Sequence, residues 1–229
     1  MHPYRRDAVT AVIPTLDEAS TLEAVVLGTR EHAGEIIVVD GHSQDGTADL
    51  ARDLSCRVLL DHGRGKGDAI RTAVGRIRTP VTLFIDADGS HDPDDIPRLV
   101  KPILEGRADH VSASRLIGGS SELHGGFDEC LRLMGSSFIT ACINHRFRVR
   151  LSESQNGFRA IRTSVLRDLD LREEITTIEQ EMIIKTLKKG YRLVEVPSHE
   201  HRRKAGVSKI HLRRVALRYV VSLVRHLYF

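Results

Sequence analysis

One pattern constrains this chain more than any other: short apolar runs alternate with helix-sized segments through its first half. Residues 8–13, 35–40, 56–60, 81–85 and 109–113 read as strands. The run Glu35-Ile36-Ile37-Val38-Val39-Asp40 is apolar almost throughout, as strands buried on both faces are. A helical pattern follows Asp17-Glu18 and runs to about His32, and others open at Asp45 and Gly65. Asp92-Pro93 predicts a capped helix with proline at its first position. Strands separated by helix-length segments imply βαβ units with right-handed crossovers, hence an α/β domain with a mainly parallel central sheet flanked by helices.

The second half is less regular. Residues 116–126, rich in Gly and Ser, are expected to form a mobile loop. Helices are predicted over 127–144 and 178–189, the latter closed by Gly190, with a C-terminal amphipathic helix at 211–228. Strands are predicted at 157–161 and 191–196. No repeat, low-complexity tract or linker interrupts the chain, and 229 residues suit a single domain.

Composition removes several classes. With 41% hydrophobic and 28% charged residues a packed core is available and disorder is not expected. No apolar run approaches the roughly 18 residues of a membrane span, and residues 1–7 carry no signal-peptide stretch. Cys56, Cys130 and Cys142 lack CxxC pairing and read as reduced thiols, so a cytoplasmic protein is expected. The net charge of +3 hides an asymmetry. Residues 200–229 hold eight Lys/Arg and one acid, a net +7, whereas the first 199 hold 26 basic and 30 acidic residues. A basic end predicts an anionic partner: a membrane surface, a phosphate-bearing substrate or nucleic acid. Only 4% of residues are aromatic and Trp is absent, so base-stacking platforms, and with them nucleic acid, are not expected.

In an open parallel sheet ligands bind beyond the carboxyl ends of the strands. Three such ends carry acids: Pro14-Thr15-Leu16-Asp17-Glu18, Asp40-Gly41-His42-Ser43 and Asp86-Ala87-Asp88-Gly89-Ser90. Two carboxylates two residues apart after a buried strand suit a hard divalent cation that also takes substrate phosphate oxygens. The same acids would also suit a solvated turn capping the next helix. Gly63-Arg64-Gly65-Lys66-Gly67 is either a phosphate cradle at a helix start or a tight turn. It is not a Walker A loop, because neither Ser nor Thr follows the lysine: Gly67 and Asp68 do. The segment 201–209 is densely basic and suits phosphate or solvent. The last helix suits docking on the core, pairing with a second copy in a homodimer, or lying on an anionic membrane.

Together these segments resemble the GT-A fold, family-2 glycosyltransferases, and within them the dolichyl-phosphate (polyprenyl-phosphate) mannose synthase type. The matching pieces, in order, are VIPTLDE (12–18), IIVVDGHSQDGT (36–47), GRGKGDAI (63–70), LFIDADGSHDP (83–93), SASR (112–115), GFRA (157–160), EQEM (179–182), GYRLVEVP (190–197) and RKAGVSK (203–209). The resemblance implies a single domain over 1–229. Its 1–115 half binds a GDP- or UDP-linked sugar, its 116–209 half binds the acceptor, and 210–229 forms the final helix. It implies that Pro14, Thr15, Asp17, Glu18, Asp40 and Lys66 serve the nucleotide. Asp86 and Asp88, with Ala87 between them, would hold Mg²⁺ or Mn²⁺ on the diphosphate. Arg115, Arg132 and Ser136 would bind a lipid phosphate acceptor, and Arg203 and Lys209 would close over the phosphates. Asp88, Arg115, Arg203 and Lys209 are thus the catalytic candidates. The chain departs from the pattern at Ser90, where relatives often carry Gln, and at Gly41, where the second acid of DDGS is missing.

The reaction implied is inverting hexosyl transfer to a polyprenyl- or dolichyl-phosphate acceptor, with peripheral contact at an anionic membrane through 211–228. The alternatives are transfer to a soluble hydroxyl, for which Glu179 or Glu181 is the candidate base, and a non-catalytic nucleotide- or nucleic-acid-binding module. The competing role for both glutamates is to complement the dipole at a helix N-terminus.

Overall fold

The computed structural model describes residues 4–121, 127–202 and 212–229, without the side chains of 127–132 and 212–215. Seven strands form one sheet: β1 (Val9–Thr15), β2 (Glu35–Asp40), β3 (Arg57–Leu60), β4 (Val81–Phe84), β5 (His110–Ser114), β6 (Arg159–Arg162) and β7 (Leu193–Pro197). Their spatial order is β3-β2-β1-β4-β6-β5-β7. The first four strands are parallel. β6 runs antiparallel to both β4 and β5, while β7 returns parallel to β5. The sheet is therefore mixed, with one reversed strand at the junction of its two halves. All the strands expected from the sequence are present.

The helices are α1 (Ala19–Arg30), α2 (Thr47–Asp53), α3 (Lys66–Val74), α4 (Ile96–Leu104), α5 (Arg115–Gly118), α6 (Phe127–Phe147), α7 (Thr163–Asp168), α8 (Ile178–Lys188) and α9 (Leu212–Tyr228). Alternation along each strand builds two cores. Val9, Ala11, Ile13, Val81, Leu83, Leu22, Val26 and Leu99 fill one face of the sheet. Val12, Ile37, Val39, Phe84, Ile70, Ala73 and Leu166 fill the other. This double burial is why β1, β2 and β4 read as continuous apolar runs. A third cluster joins Ile139 and Ile143 of α6 to Ile183 and Ile184 of α8 and to Leu223 and Leu227 of α9.

Three local expectations need adjusting. Residues 116–118, expected in a loop, belong to α5, whose Gly118 lies against Ser198: an added Cβ would come 2.4 Å from its backbone N and O. The rest of that segment, 122–126, lies outside the described residues. Pro93 opens a short 3-10 turn, Pro93–Asp95, rather than α4 itself, although the Asp92 carboxylate does accept the Asp94 amide at 2.9 Å. The apolar stripe of α9 is divided. Leu223 and Leu227 are buried, whereas Val220 and Val224 face solvent. Polar anchors set that rotation: the Tyr219 hydroxyl lies 2.6 Å from Thr176, and His226 lies 3.0 Å from Glu173.

Leu83 is fully buried in the first core. Leu83→Ala should cost about 2–5 kcal/mol of stability, read from urea unfolding; a loss well under 1 kcal/mol would contradict this packing.

Candidate active site

The parallel strands β1, β2 and β4 end on one edge, and their following turns carry the acids. Asp17 adopts a left-handed backbone (φ 55°) between β1 and α1. Its carboxylate accepts the Gln44 amide at 2.9 Å, while its own amide donates to the Ser43 hydroxyl at 2.8 Å. Glu18 donates its amide to Thr47 Oγ1 at 2.9 Å. These bonds lock the β1–α1 turn to the β2–α2 turn. Asp40 is 1% exposed and accepts the Ser43 amide at 3.0 Å and its hydroxyl at 2.5 Å. Thr15 is buried beside it, its hydroxyl 3.4 Å from Asp40 Oδ1. Pro14 is half-buried at the strand end.

The glycine turn before α3 has a steric explanation. A Cβ on Gly67 would lie 2.4 Å from the Glu173 carbonyl oxygen, and Gly65 (φ 123°) sits against Glu174 and Ile175. The Asp68 amide donates to the Glu174 carbonyl at 3.0 Å. That amide serves packing rather than an open anion cradle. What the turn delivers is Lys66, the first residue of α3.

Lys66 Nζ lies 2.6 and 2.9 Å from the two Asp86 oxygens and donates to Glu179 Oε1 at 2.8 Å. Burial alone would lower the Lys66 pKa, but the charges of Asp86 and Glu179 outweigh it and raise it. Gly157 closes over this group: a Cβ there would approach Asp86 Oδ2 and Lys66 Nζ to 2.5 Å. Asp88 is 5% exposed, and its Oδ1 accepts the Ser90 amide at 3.0 Å and hydroxyl at 2.6 Å. Ala87 is buried between the two acids. His91 is buried, its Nε2 4.0 Å from Asp86 Oδ2 and its ring stacked on Phe158 at 5.0 Å. Burial lowers its pKa against the pull of Asp86, Asp88 and Glu200.

Among the described residues no group of three or more His, Cys, Asp or Glu is arranged to hold a metal. Two carboxylates on one turn nonetheless fit Mg²⁺ or Mn²⁺, which take few protein oxygens and complete their shell with water and phosphate. The glycine at position 157 fits too, since a side chain there would run into Asp86.

A second charged group lies across the turn. Arg115 begins α5 directly after β5. It pairs with Glu153 at 2.7 Å and Glu200 at 2.6 Å. Glu200 also accepts the Ser120 hydroxyl at 2.9 Å and bridges by backbone to His91, and the neighbouring His201 amide donates to the Ser90 carbonyl at 2.8 Å. Burial pushes the Glu153 carboxyl up to about 7, against the pull of Arg115. Ser136 lies on α6 one turn before Thr140, whose hydroxyl is 2.8 Å from Ser154 beside Glu153. The side chain of Arg132, and all of Arg203 and Lys209, lie outside the described residues.

Glu153, Glu200 and Arg159 were given no role by sequence reasoning, and His91, a loop histidine near the acid turn that reads as a surface residue, is buried instead. Arg159 is fully buried beneath the acids, donating to the carbonyls of Asn156 and Glu179. A charged residue inside the apolar run of GFRA was the available signal. The two candidate bases are both engaged in ion pairs. Glu179 pairs with Lys66, and Glu181 pairs with Lys185 at 2.7 Å while accepting the amides of Arg172 and Glu173.

Residues 10–170 match the family model for glycosyl transferase family 2, and the chain belongs to that family. Glycosyltransferase AglJ of Haloferax volcanii is 31% identical over 87% of this chain and 65% of its own length. The chain thus spans just under two thirds of AglJ. A dolichyl-phosphate hexose transferase of the same organism is 26% identical over 92% of this chain and 90% of its own. Among solved structures, glucosyl-3-phosphoglycerate synthase from Mycobacterium tuberculosis, in complex with Mn²⁺, UDP-glucose and phosphoglyceric acid, superposes with a TM-score of 0.79 at 20% identity, covering 97% of this chain and 80% of that one. The fold is that of the GT-A glycosyltransferases.

Glu153 holds its proton between its ordinary 4.5 and about 7 when folded, but not when unfolded. The folded state binds more protons in that window, so Glu153 lowers stability as pH rises through it. Glu153→Gln should flatten the pH dependence of urea unfolding between about 5 and 7; an unchanged slope would rule Glu153 out as its source.

Proposed function

We propose that this chain transfers a hexose, with inversion, from a nucleoside diphosphate sugar to a polyprenyl- or dolichyl-phosphate acceptor. The observation that carries the reading is Arg115, a guanidinium at the end of β5 tied through Glu200 to the turn bearing Asp86 and Asp88. That arrangement suits a phosphate acceptor beside a diphosphate donor. The dolichyl-phosphate hexose transferase relative supports it.

In this reading the acceptor phosphate oxygen attacks the anomeric carbon. The bond from that carbon to the diphosphate breaks, and the nucleoside diphosphate leaves with the electron pair. Asp86 and Asp88 would hold Mg²⁺ or Mn²⁺, which neutralises charge developing on the leaving diphosphate. Lys66 presents an ammonium at the same place. Arg115 orients the acceptor. A phosphate is already ionised near neutral pH, so no general base is needed. A hydroxyl acceptor would need one, and Glu179 and Glu181 are both engaged in ion pairs. A soluble phosphate-bearing acceptor is the second reading, because the structurally similar synthase was solved with phosphoglyceric acid.

The donor is tested by thermal shift with GDP and UDP, each with and without Mn²⁺. A metal-dependent rise in Tm with one nucleotide is expected. The acceptor is tested by radiolabelled sugar transfer: label entering organic solvent with polyprenyl phosphate supports the lipid, and label retained in water with phosphoglyceric acid supports the soluble alternative. Asp88→Ala should abolish turnover while leaving the far-UV spectrum intact; undiminished turnover would remove Asp88 from the metal assignment.

The same reading gives the outer face of α9 a partner. Leu217, Val220, Val221 and Val224 are exposed there beside Arg218 and Arg225, a pairing that suits an anionic bilayer surface. No described helix is long and apolar enough to cross a membrane. The protein should sediment with phosphatidylserine vesicles and less with phosphatidylcholine, and Leu217→Glu with Val221→Glu should release it. Equal sedimentation of wild type and variant would exclude this face.

A further inference from the structure

Lys66 is positioned where a bound cation would meet it. Its ammonium touches both Asp86 oxygens, at 2.6 and 2.9 Å, and Glu179 at 2.8 Å. The group is packed from several sides, with Lys66 and Asp86 still partly exposed. Lys66 heads α3, whose glycine turn is packed on the backbone of 173–175. The Glu179 backbone carbonyl accepts Arg159 at 3.0 Å, and Gly157 lies directly over the ammonium and Asp86. Burial makes such charge pairing strong and mismatched charge expensive.

An ammonium and a divalent cation repel one another. A cation arriving at Asp86 must therefore overcome a positive charge already seated on the same oxygens. A nucleoside diphosphate changes the balance, because its phosphates give the ammonium a second anion to face. Resting on the donor reading above, we propose that Lys66 is a tethered counter-ion to Asp86. It makes divalent-metal binding depend on the nucleoside diphosphate, and Glu179 retains the ammonium when it leaves Asp86. Lys66 is a positioning residue in this role: it sets when the metal site becomes available. The sugar nucleotide and the metal are then loaded together, and an idle site does not fill with metal. By linkage, metal and nucleotide raise each other's affinity by the same factor.

Free Mn²⁺ measured by electron paramagnetic resonance tests this, in titrations of the full chain with and without UDP or GDP. Wild type should bind Mn²⁺ weakly alone. Lys66→Met should bind Mn²⁺ alone about tenfold more tightly, with a smaller gain on adding nucleotide. Lys66→Arg, which keeps the charge, should restore the wild-type pattern. Glu179→Gln should act in the opposite direction to Lys66→Met, because the ammonium then favours Asp86 and Mn²⁺ alone binds more weakly. A lysine that merely binds phosphate would leave nucleotide-free Mn²⁺ affinity unchanged in Lys66→Met, and that result overturns the proposal. So does a weaker affinity in a variant whose melting curve matches wild type. If Lys66→Met fails to fold, Glu179→Gln decides: unchanged or tighter Mn²⁺ binding without nucleotide overturns it. The nucleotide-free arms do not require the donor reading: failure of every nucleotide to bind would overturn that reading and the metal–nucleotide coupling with it, while the counter-ion role of Lys66 at Asp86 stands or falls on the nucleotide-free arms.

Discussion

The ammonium of Lys66, held between Asp86 and Glu179, joins parts of the chain that are far apart in sequence. Lys66 comes from the start of α3, Asp86 from the turn after β4, and Glu179 from α8. Removing Lys66 would leave the buried Glu179 and the partly exposed Asp86 without their shared counter-ion, which is more damaging than losing a surface pair. Gly157 enforces the same closeness by sterics, since no side chain fits above Asp86. Electrostatics and packing therefore converge on one point, at the edge where the parallel strands deliver their loops.

A second centre forms around Arg115, built on the same plan. Glu153 and Glu200 flank a guanidinium, and Glu200 returns to the Asp86–Asp88 turn through its bridge to His91. Beneath both centres lies Arg159, a buried cation bonded to carbonyls rather than to a carboxylate. The site thus carries three cations interleaved with acids. This balance suits a reaction in which one diphosphate leaves while an anionic acceptor approaches. The two glutamates considered as bases, Glu179 and Glu181, are both held in ion pairs.

Much of the fold was legible because its signals are local. A strand buried on both faces must be apolar along its length, so β2 could be read to the residue. Asp86-Ala87-Asp88 was legible as a pair because both acids follow one strand. The glycine turn was visible too, but its reason was not. Gly65 and Gly67 answer to the backbone of 173–175, more than a hundred residues on, and no local pattern records that contact. For the same cause Glu179 read as a helix-dipole residue or a base, though it is the partner of Lys66. The stripe on α9 read as one apolar face, and polar anchors at Tyr219 and His226 divide it.

The sequence by itself determined the alternation of strands and helices, the double burial of the first strands, and the placement of acids at their carboxyl ends. Each depends on the period of the backbone and on residues close together in the chain. Family membership was legible for the same reason, because short motifs retain their order along the chain. Only the tertiary structure decided the reversal of β6, the pairing of Lys66 with Asp86 and Glu179, and the link from Arg115 through Glu200 to the acid turn. Those contacts join distant segments. They become favourable only once the sheet has brought the segments together and removed the water between them, because a buried charge must find its partner wherever the fold supplies one.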